Sequence, residues 1–354
     1  MKKEFLFLLC VTAAVISACG GSGKKNETAL NASVTVDPAS LQAFQRLPDS
    51  IPSDSNPITE EKIALGRMLY YETRLSRSQQ ISCNTCHMLD KYGVDGEPTS
   101  DGHRGQKGDR NSPTVYNAAG AFVQFWDGRA ADVEEQAKGP VTNPAEMAMT
   151  SEKHVVAVLK SMPEYVEAFK KAFPVEKDPV TYQNMANAIG AFERKLVTPS
   201  RWDKYLQGDA QALTNNEKAG FNVFAQVGCQ VCHAGVHVGG GMYQKLGVVK
   251  AYPDSSDPGR QKVTQKEADR MVFKVPGLRN VAQTGPYYHS GKVGTLAQAV
   301  SMMAQYQLGK NLDENQTQAI VAWLNALTGE IPAEYIKPPV LPQSTKTTPK
   351  PDLE

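Results

Sequence analysis

Two copies of one five-residue pattern constrain this chain more than any other feature. Cys83-Asn84-Thr85-Cys86-His87 and Cys229-Gln230-Val231-Cys232-His233 both read C-x-x-C-H, with 146 residues between their first cysteines. Two cysteines three apart lie on one side of a helical turn, and the next residue points beneath them. That arrangement suits a c-type haem. The thiols form thioethers to the haem vinyl groups, and the His lies under the iron as its proximal ligand. A redox dithiol does not need the following His. A four-Cys zinc site keeps its pairs much closer together. With only six Cys in 354 residues, chance does not readily place the pattern twice.

Haem of this type is attached outside the cytoplasm, and the N-terminus agrees. Lys2 and Lys3 precede a mostly apolar run from Phe5 to Ala18. The run is too short to span a bilayer and fits a secretory signal. It ends in Ile16-Ser17-Ala18-Cys19, which resembles a lipobox and makes Cys19 the candidate lipidation site. The expected location is periplasmic, with membrane contact only through that lipid anchor. Loss of residues 1–18 removes two Lys and one Glu and leaves a formally neutral chain. Neutrality argues against a nucleic-acid partner. No later segment is apolar enough to cross a membrane.

Helical periodicity dominates the body. Residues 59–70, 181–196, 295–308 and 313–328 read as helices, and 151–172 as a helix broken at Pro163. The 181–196 segment has the clearest apolar face. Gly329 is expected to close the last helix. Residues 90–113 and 234–262 read as long loops, and no run alternates as a strand. A capped helix precedes each Cys motif, from Thr59 and from Thr214. The expected fold is therefore all-α: two cytochrome c-like helical haem domains with long loops and the haems near the domain interface. The expected divisions are a signal (1–18), a lipidated flexible linker (19–45), an N-terminal haem domain (46–198), a C-terminal haem domain (199–337) and a flexible tail (338–354).

Four His remain for the sixth iron positions: His103, His154, His237 and His289. His154 reads as a solvated helix residue. His103 sits between Gly102 and Arg104-Gly105, where a loop can swing a ligand on and off. Met303 lies on the face of its helix with Leu296 and Val300. Such a Met ordinarily packs in a core, but near a haem its thioether becomes a candidate ligand.

The segments SCNTCH, DGHRGQKGDRNSPTVYN, FWDGRAADVEEQAKGPVTNPAEM, GCQVCH, TGPYYHSG, MAQYQLG and IVAWLNALTGEIP resemble the bacterial di-haem cytochrome c peroxidases over residues from about 45 to 337. The resemblance implies reduction of hydrogen peroxide to water at the N-terminal haem, held by His87 with His103 as removable distal ligand. It implies Glu146 as acid/base and Gln136 as its assistant. It implies electron arrival at the C-terminal haem, held by His233 and Met303, and Trp126 between the haems. Adjacent Met302 is the rival thioether. The family calcium site falls on the Asn111 side chain and the Thr284 and Pro286 carbonyls. His289 is expected near the second haem without being an axial ligand. The implied partner is a small periplasmic donor, a cytochrome c or a copper protein, and the family pattern allows a homodimer. Two other functions stay open: a di-haem electron carrier with closed irons, and a di-haem oxidase acting on a partner protein, as in methylamine dehydrogenase maturation.

Overall fold

The first Cys motif is preceded by helix α1 (Glu60–Tyr71), whose start is written in the sequence. Thr59 accepts a hydrogen bond from the Lys62 N–H, and Glu60 and Glu61 face the positive end of the helix. In this computed structural model residues 34–353 are described. The signal segment and Cys19 lie outside the described residues. Helix α2 (Val133–Thr142) is capped by Asp132. Helices α3 (Glu152–Lys160) and α4 (Pro163–Ala172) are separated where Pro163 removes a backbone donor. Helix α5 (Tyr182–Glu193) completes the first half. In the second half, the capping box of Thr214 and Glu217 starts α6 (Asn215–Val227). Helices α7 (Leu296–Leu308) and α8 (Glu314–Ala326) follow the long loops.

Two hydrophobic clusters form. One gathers Leu65, Leu69, Leu159, Phe169, Ile189 and Phe192 from α1, α3, α4 and α5. The other gathers Trp202, Phe221, Phe224, Ile320 and Trp323 around α6 and α8. The two are built alike. On α1, a Cβ at Gly66 would lie 1.9 Å from the Ala188 carbonyl oxygen of α5. On α6, a Cβ at Gly220 would lie 1.8 Å from the Ala319 carbonyl oxygen of α8. In both halves, the helix before the Cys motif thus crosses a later helix backbone to backbone.

A polar hub joins the halves. Thr198 is wholly buried. Its hydroxyl accepts from the Asn117 amide at 2.9 Å and the Asn280 amide at 2.8 Å, and its N–H donates to Asn117 Oδ1 at 3.1 Å. Both asparagines are left-handed, with φ of 61° and 62°. Buried ion pairs flank the hub. Arg194 grips Glu134 through two bonds, and Arg279 grips Asp203.

The structure departs from the sequence reading in five places. Helix α5 is buried on nearly every side, not on one face. Gly329 does not cap a helix. It lies against Thr198, where a Cβ would meet the carbonyl oxygen at 2.0 Å. A short antiparallel pair, β1 (Tyr243–Lys245) and β2 (Val272–Lys274), stands within the long-loop half. Three residues each are too few for alternation to be visible. The tether expected through residue 45 ends sooner. Phe44 packs edge-on against Trp202 and Phe221 in the second cluster. Finally, the tail is extended but docked. Arg77 pairs with Asp352, and the Gln79 amide donates to the Pro349 carbonyl at 2.8 Å. Residues 331–336 also return to the first cluster, where Tyr335 stacks on Phe192.

Candidate active site

The first Cys motif forms a single helical turn, Cys83–Cys86. Ser82 and Thr85 cap it reciprocally, and Asn84 accepts from the Leu89 N–H to hold the exit. The Tyr70 hydroxyl of α1 donates to the His87 carbonyl at 2.8 Å. The motif thereby opens onto a cavity of about 710 Å³, lined by Cys83, Cys86 and His87 on one side. Trp126, Gln136 and Glu146 line other parts of the same cavity. Asn111, Thr284 and Pro286 also line it.

His103 is 3% exposed, and among the described residues neither ring nitrogen has a hydrogen-bond partner. A buried imidazole with two idle nitrogens is costly unless something absent from the described chain binds it. Its loop is clamped to the Glu146 turn. The His103 N–H donates to the Glu146 carbonyl at 2.7 Å, and a Cβ at Gly102 would lie 1.9 Å from the Ala145 carbonyl oxygen. Arg104 is left-handed, with φ of 61°, so the loop turns sharply there.

Burial raises the Glu146 carboxyl, opposed by the Arg129 charge and by the Asn143 amide, which donates to it at 2.9 Å. Burial lowers His87 and pushes His233 down to about 4. Both imidazoles are therefore neutral at neutral pH, the form that binds a metal. Burial pushes the Cys83 thiol up to about 12 and the Cys86 and Cys229 thiols up to about 11. The four cysteines of the motifs are free thiols, in no disulfide. The neutral Cys83 and Cys86 thiols, the neutral His87 imidazole and the large cavity they line fit a haem at the first motif.

The second motif follows α6 directly, and Cys229 packs on the second cluster with Leu278, Leu296 and Val300. On α7 only Ala304 is fully buried. At about 100° per residue, Met303 lies close to the Leu296 direction, while Met302 lies more than a quarter turn away. Both methionines are half-buried.

At the expected calcium position, the Asn111 amide N–H donates to the Glu97 carbonyl at 3.0 Å, which turns its oxygen the other way. The Trp126 indole N–H donates to the Asn111 carbonyl at 2.9 Å. Among the described residues no cluster of three or more His, Cys, Asp or Glu could hold a metal. The expected ligands are an amide and carbonyls and need no such cluster. His289 stacks on Phe273 and stands edge-on to Trp126 at 6.4 Å. His154 is bonded to Thr150 and lies away from the cavity.

Residues 60–211 match the family described as di-haem cytochrome c peroxidase. The chain is 48% identical over 316 residues to cytochrome c551 peroxidase of Pseudomonas aeruginosa, covering 87% of this chain and 90% of the relative. This chain belongs to the di-haem cytochrome c peroxidase family. Cytochrome c551 peroxidase of Nitrosomonas europaea is also 48% identical, over 83% of this chain and 87% of that one. Methylamine utilization protein MauG of Methylorubrum extorquens is 35% identical over 82% of this chain and 80% of its own. Among solved structures, a MauG-like protein associated with microbial copper homeostasis superposes with a TM-score of 0.74 at 27% identity, covering 83% of this chain and 97% of that one. These relatives meet the expectation of a mainly helical di-haem cytochrome c fold. The expected enzyme class, an oxidoreductase acting on hydrogen peroxide, is met by relatives named cytochrome c peroxidase at 42% to 48% identity.

Sequence reasoning missed several residues of the cavity. Lys274 and Glu193 line it and lie in no motif, while Arg129 lines it from within FWDGRAADVEEQAKGPVTNPAEM, where nothing local marks its place in the wall. His237 was visible as a spare His, but only its burial, which pushes it down to about 4, and its idle Nδ1 mark it as part of the wall.

Proposed function

We propose that this chain reduces hydrogen peroxide to water in the first cavity, using electrons received at the second Cys motif from a small donor protein, a cytochrome c or a copper protein. The observation that carries this reading is the pairing of His103, buried with two unpartnered ring nitrogens, with Glu146 on the clamped neighbouring turn. Haems joined to Cys83 and Cys86, and to Cys229 and Cys232, would supply iron for peroxide binding and for electron transfer. His87 and His233 would lie beneath the two irons. Met303 would complete the second site, and His103 would close the first until the loop moves.

Glu146 takes a proton from the bound peroxide at one carboxylate oxygen and returns it to the leaving oxygen. Its raised proton affinity matches that double role. Asn143 holds the other face of the carboxyl in place. Gln136 lines the same cavity on α2 and offers an amide to orient the substrate. Trp126, fixed by its indole bond to the Asn111 carbonyl, stands between the halves as an electron stepping stone. Asn111, Thr284 and Pro286 would hold calcium beside it. The domain division near 198–199, export to the periplasm and a lipid at Cys19 belong to the same proposal.

The second reading, oxidation of a partner protein, is favoured by the relatives named MauG. Met303 speaks for the peroxidase, because a thioether ligand raises the potential of a haem that receives electrons. The deciding experiment is a haem assay with steady-state peroxide reduction by reduced cytochrome c, before and after pre-reduction. Two haems per chain and turnover are expected, with a Met–iron charge-transfer band that disappears in Met303→Leu. His103→Gly is expected to turn over without pre-reduction. Two haems with no peroxide turnover would instead point to an electron carrier.

A further inference from the structure

Six cationic side chains line the first cavity. Five have acidic partners: Lys107 with Asp101, Arg110 with Asp127 and Asp257, Arg129 with Asp127, Lys262 with Asp109, and Arg279 with Asp203. Among the described residues, Lys274 has none. It closes β2, and its backbone N–H donates to the Trp126 carbonyl at 2.8 Å. Its side chain is part-buried and lines the cavity. Burial, with no carboxylate to offset it, pulls the ammonium down to about 8.

A buried cation without a counter-ion is unfavourable unless an anion completes the site. Haem brings such anions as its two propionates. Cys83 and Cys86 fix the vinyl edge, and the propionates leave the porphyrin from the opposite edge.

We propose that Lys274 is the ammonium counter-ion of a propionate of the first haem. The inference rests on the haem reading of this cavity. Lys274 follows the second Cys motif in sequence, so the contact ties the first haem to the other half of the chain. A cation beside the propionate favours reduced iron, which carries one positive charge fewer. Lys274 is thus a positioning residue that also sets the first haem's potential.

The test is spectroelectrochemical titration of intact Lys274→Met, Lys274→Gln and Lys274→Arg proteins at one pH, with haem content measured in parallel. The two neutral variants are expected to keep two haems and to shift the first haem's redox equilibrium roughly tenfold toward oxidised iron, the effect of one charge at ~10 Å through a dielectric of ~20. The second haem should not move, and the Arg variant should match the parent. Unchanged potentials in both neutral variants overturn the proposal, and so does a shift confined to the second haem. If the neutral variants lose the first haem while Lys274→Arg keeps it, charge is what holds the cofactor and the proposal stands. If Lys274→Arg loses it too, shape is what matters and the proposal falls. A parent protein without haem at Cys83 and Cys86 sinks the haem reading itself, which the haem assay reports separately.

Discussion

Glu146 and Glu193 face the same cavity under different constraints. Glu146 is pushed up by burial but opposed by Arg129 and Asn143. A raised carboxyl is what the proposed proton-shuttle role asks of it. Glu146→Gln keeps the shape and removes the proton, so kcat for peroxide should fall by about 10²–10⁴-fold. Stopped-flow mixing with peroxide checks this, and a loss below tenfold would remove Glu146 from the acid/base role. Glu193 is buried, and burial, with the Glu134 charge beside it and Arg194 opposing, raises its carboxyl to about 8. A carboxyl raised on folding contributes its full stability below the unfolded value. It loses that stability as pH rises through the folded one. Between pH ~4.5 and about 8, the parent should therefore lose up to ~1.4 kcal/mol per pH unit relative to Glu193→Gln. Urea unfolding at several pH values reads this directly, and parallel curves would count against it.

The decisive contacts between elements are backbone to backbone. Gly66 on α1 and Gly220 on α6 let each helix touch the carbonyl of its partner. An Ala at either position must push two helices apart, at a cost of ~1–3 kcal/mol. Thermal melts of Gly66→Ala and Gly220→Ala should each show a lower Tm. A Tm equal to the parent's would mean that the crossings have room. The clamp between the His103 loop and the Glu146 turn makes the same kind of demand at Gly102. Gly102→Ala should displace His103 and raise the share of open first haem, seen as a high-spin signal in the resting protein. These crossings show what a sequence can disclose. Caps at Thr59 and Thr214 were legible because each acts within four residues. The haem motifs were legible for the same reason. Glu146 and Trp126 were reached through resemblance, since a lone acid or a lone Trp carries no local mark. Lys274 was not legible at all. Its significance lies in having no acidic partner among the described residues while five neighbouring cations have one, which only the folded arrangement reveals.

Over the whole molecule, both chain ends leave their own half. Residues near Val36 and Phe44 pack into the second cluster, and Tyr335 and Ile336 pack into the first. The Tyr71 hydroxyl donates to the Ile336 carbonyl, and the Tyr335 hydroxyl donates to the Phe192 carbonyl. The docked tail extends this exchange to Asp352. Removal of residues 338–354 should speed amide exchange around Arg77 and Gln79 while leaving α6 and α8 unchanged. Equal exchange around Arg77 would show that the tail adds nothing there. The exchange of ends also determines how the protein can be divided. A gene cut at residue 198 would give two polypeptides, each missing a piece of its own interior and each carrying a piece of the other's. Neither should be well folded alone, yet the pair, synthesised together, should reassemble. Swapping those end segments between the two genes should give two soluble proteins, one for each haem.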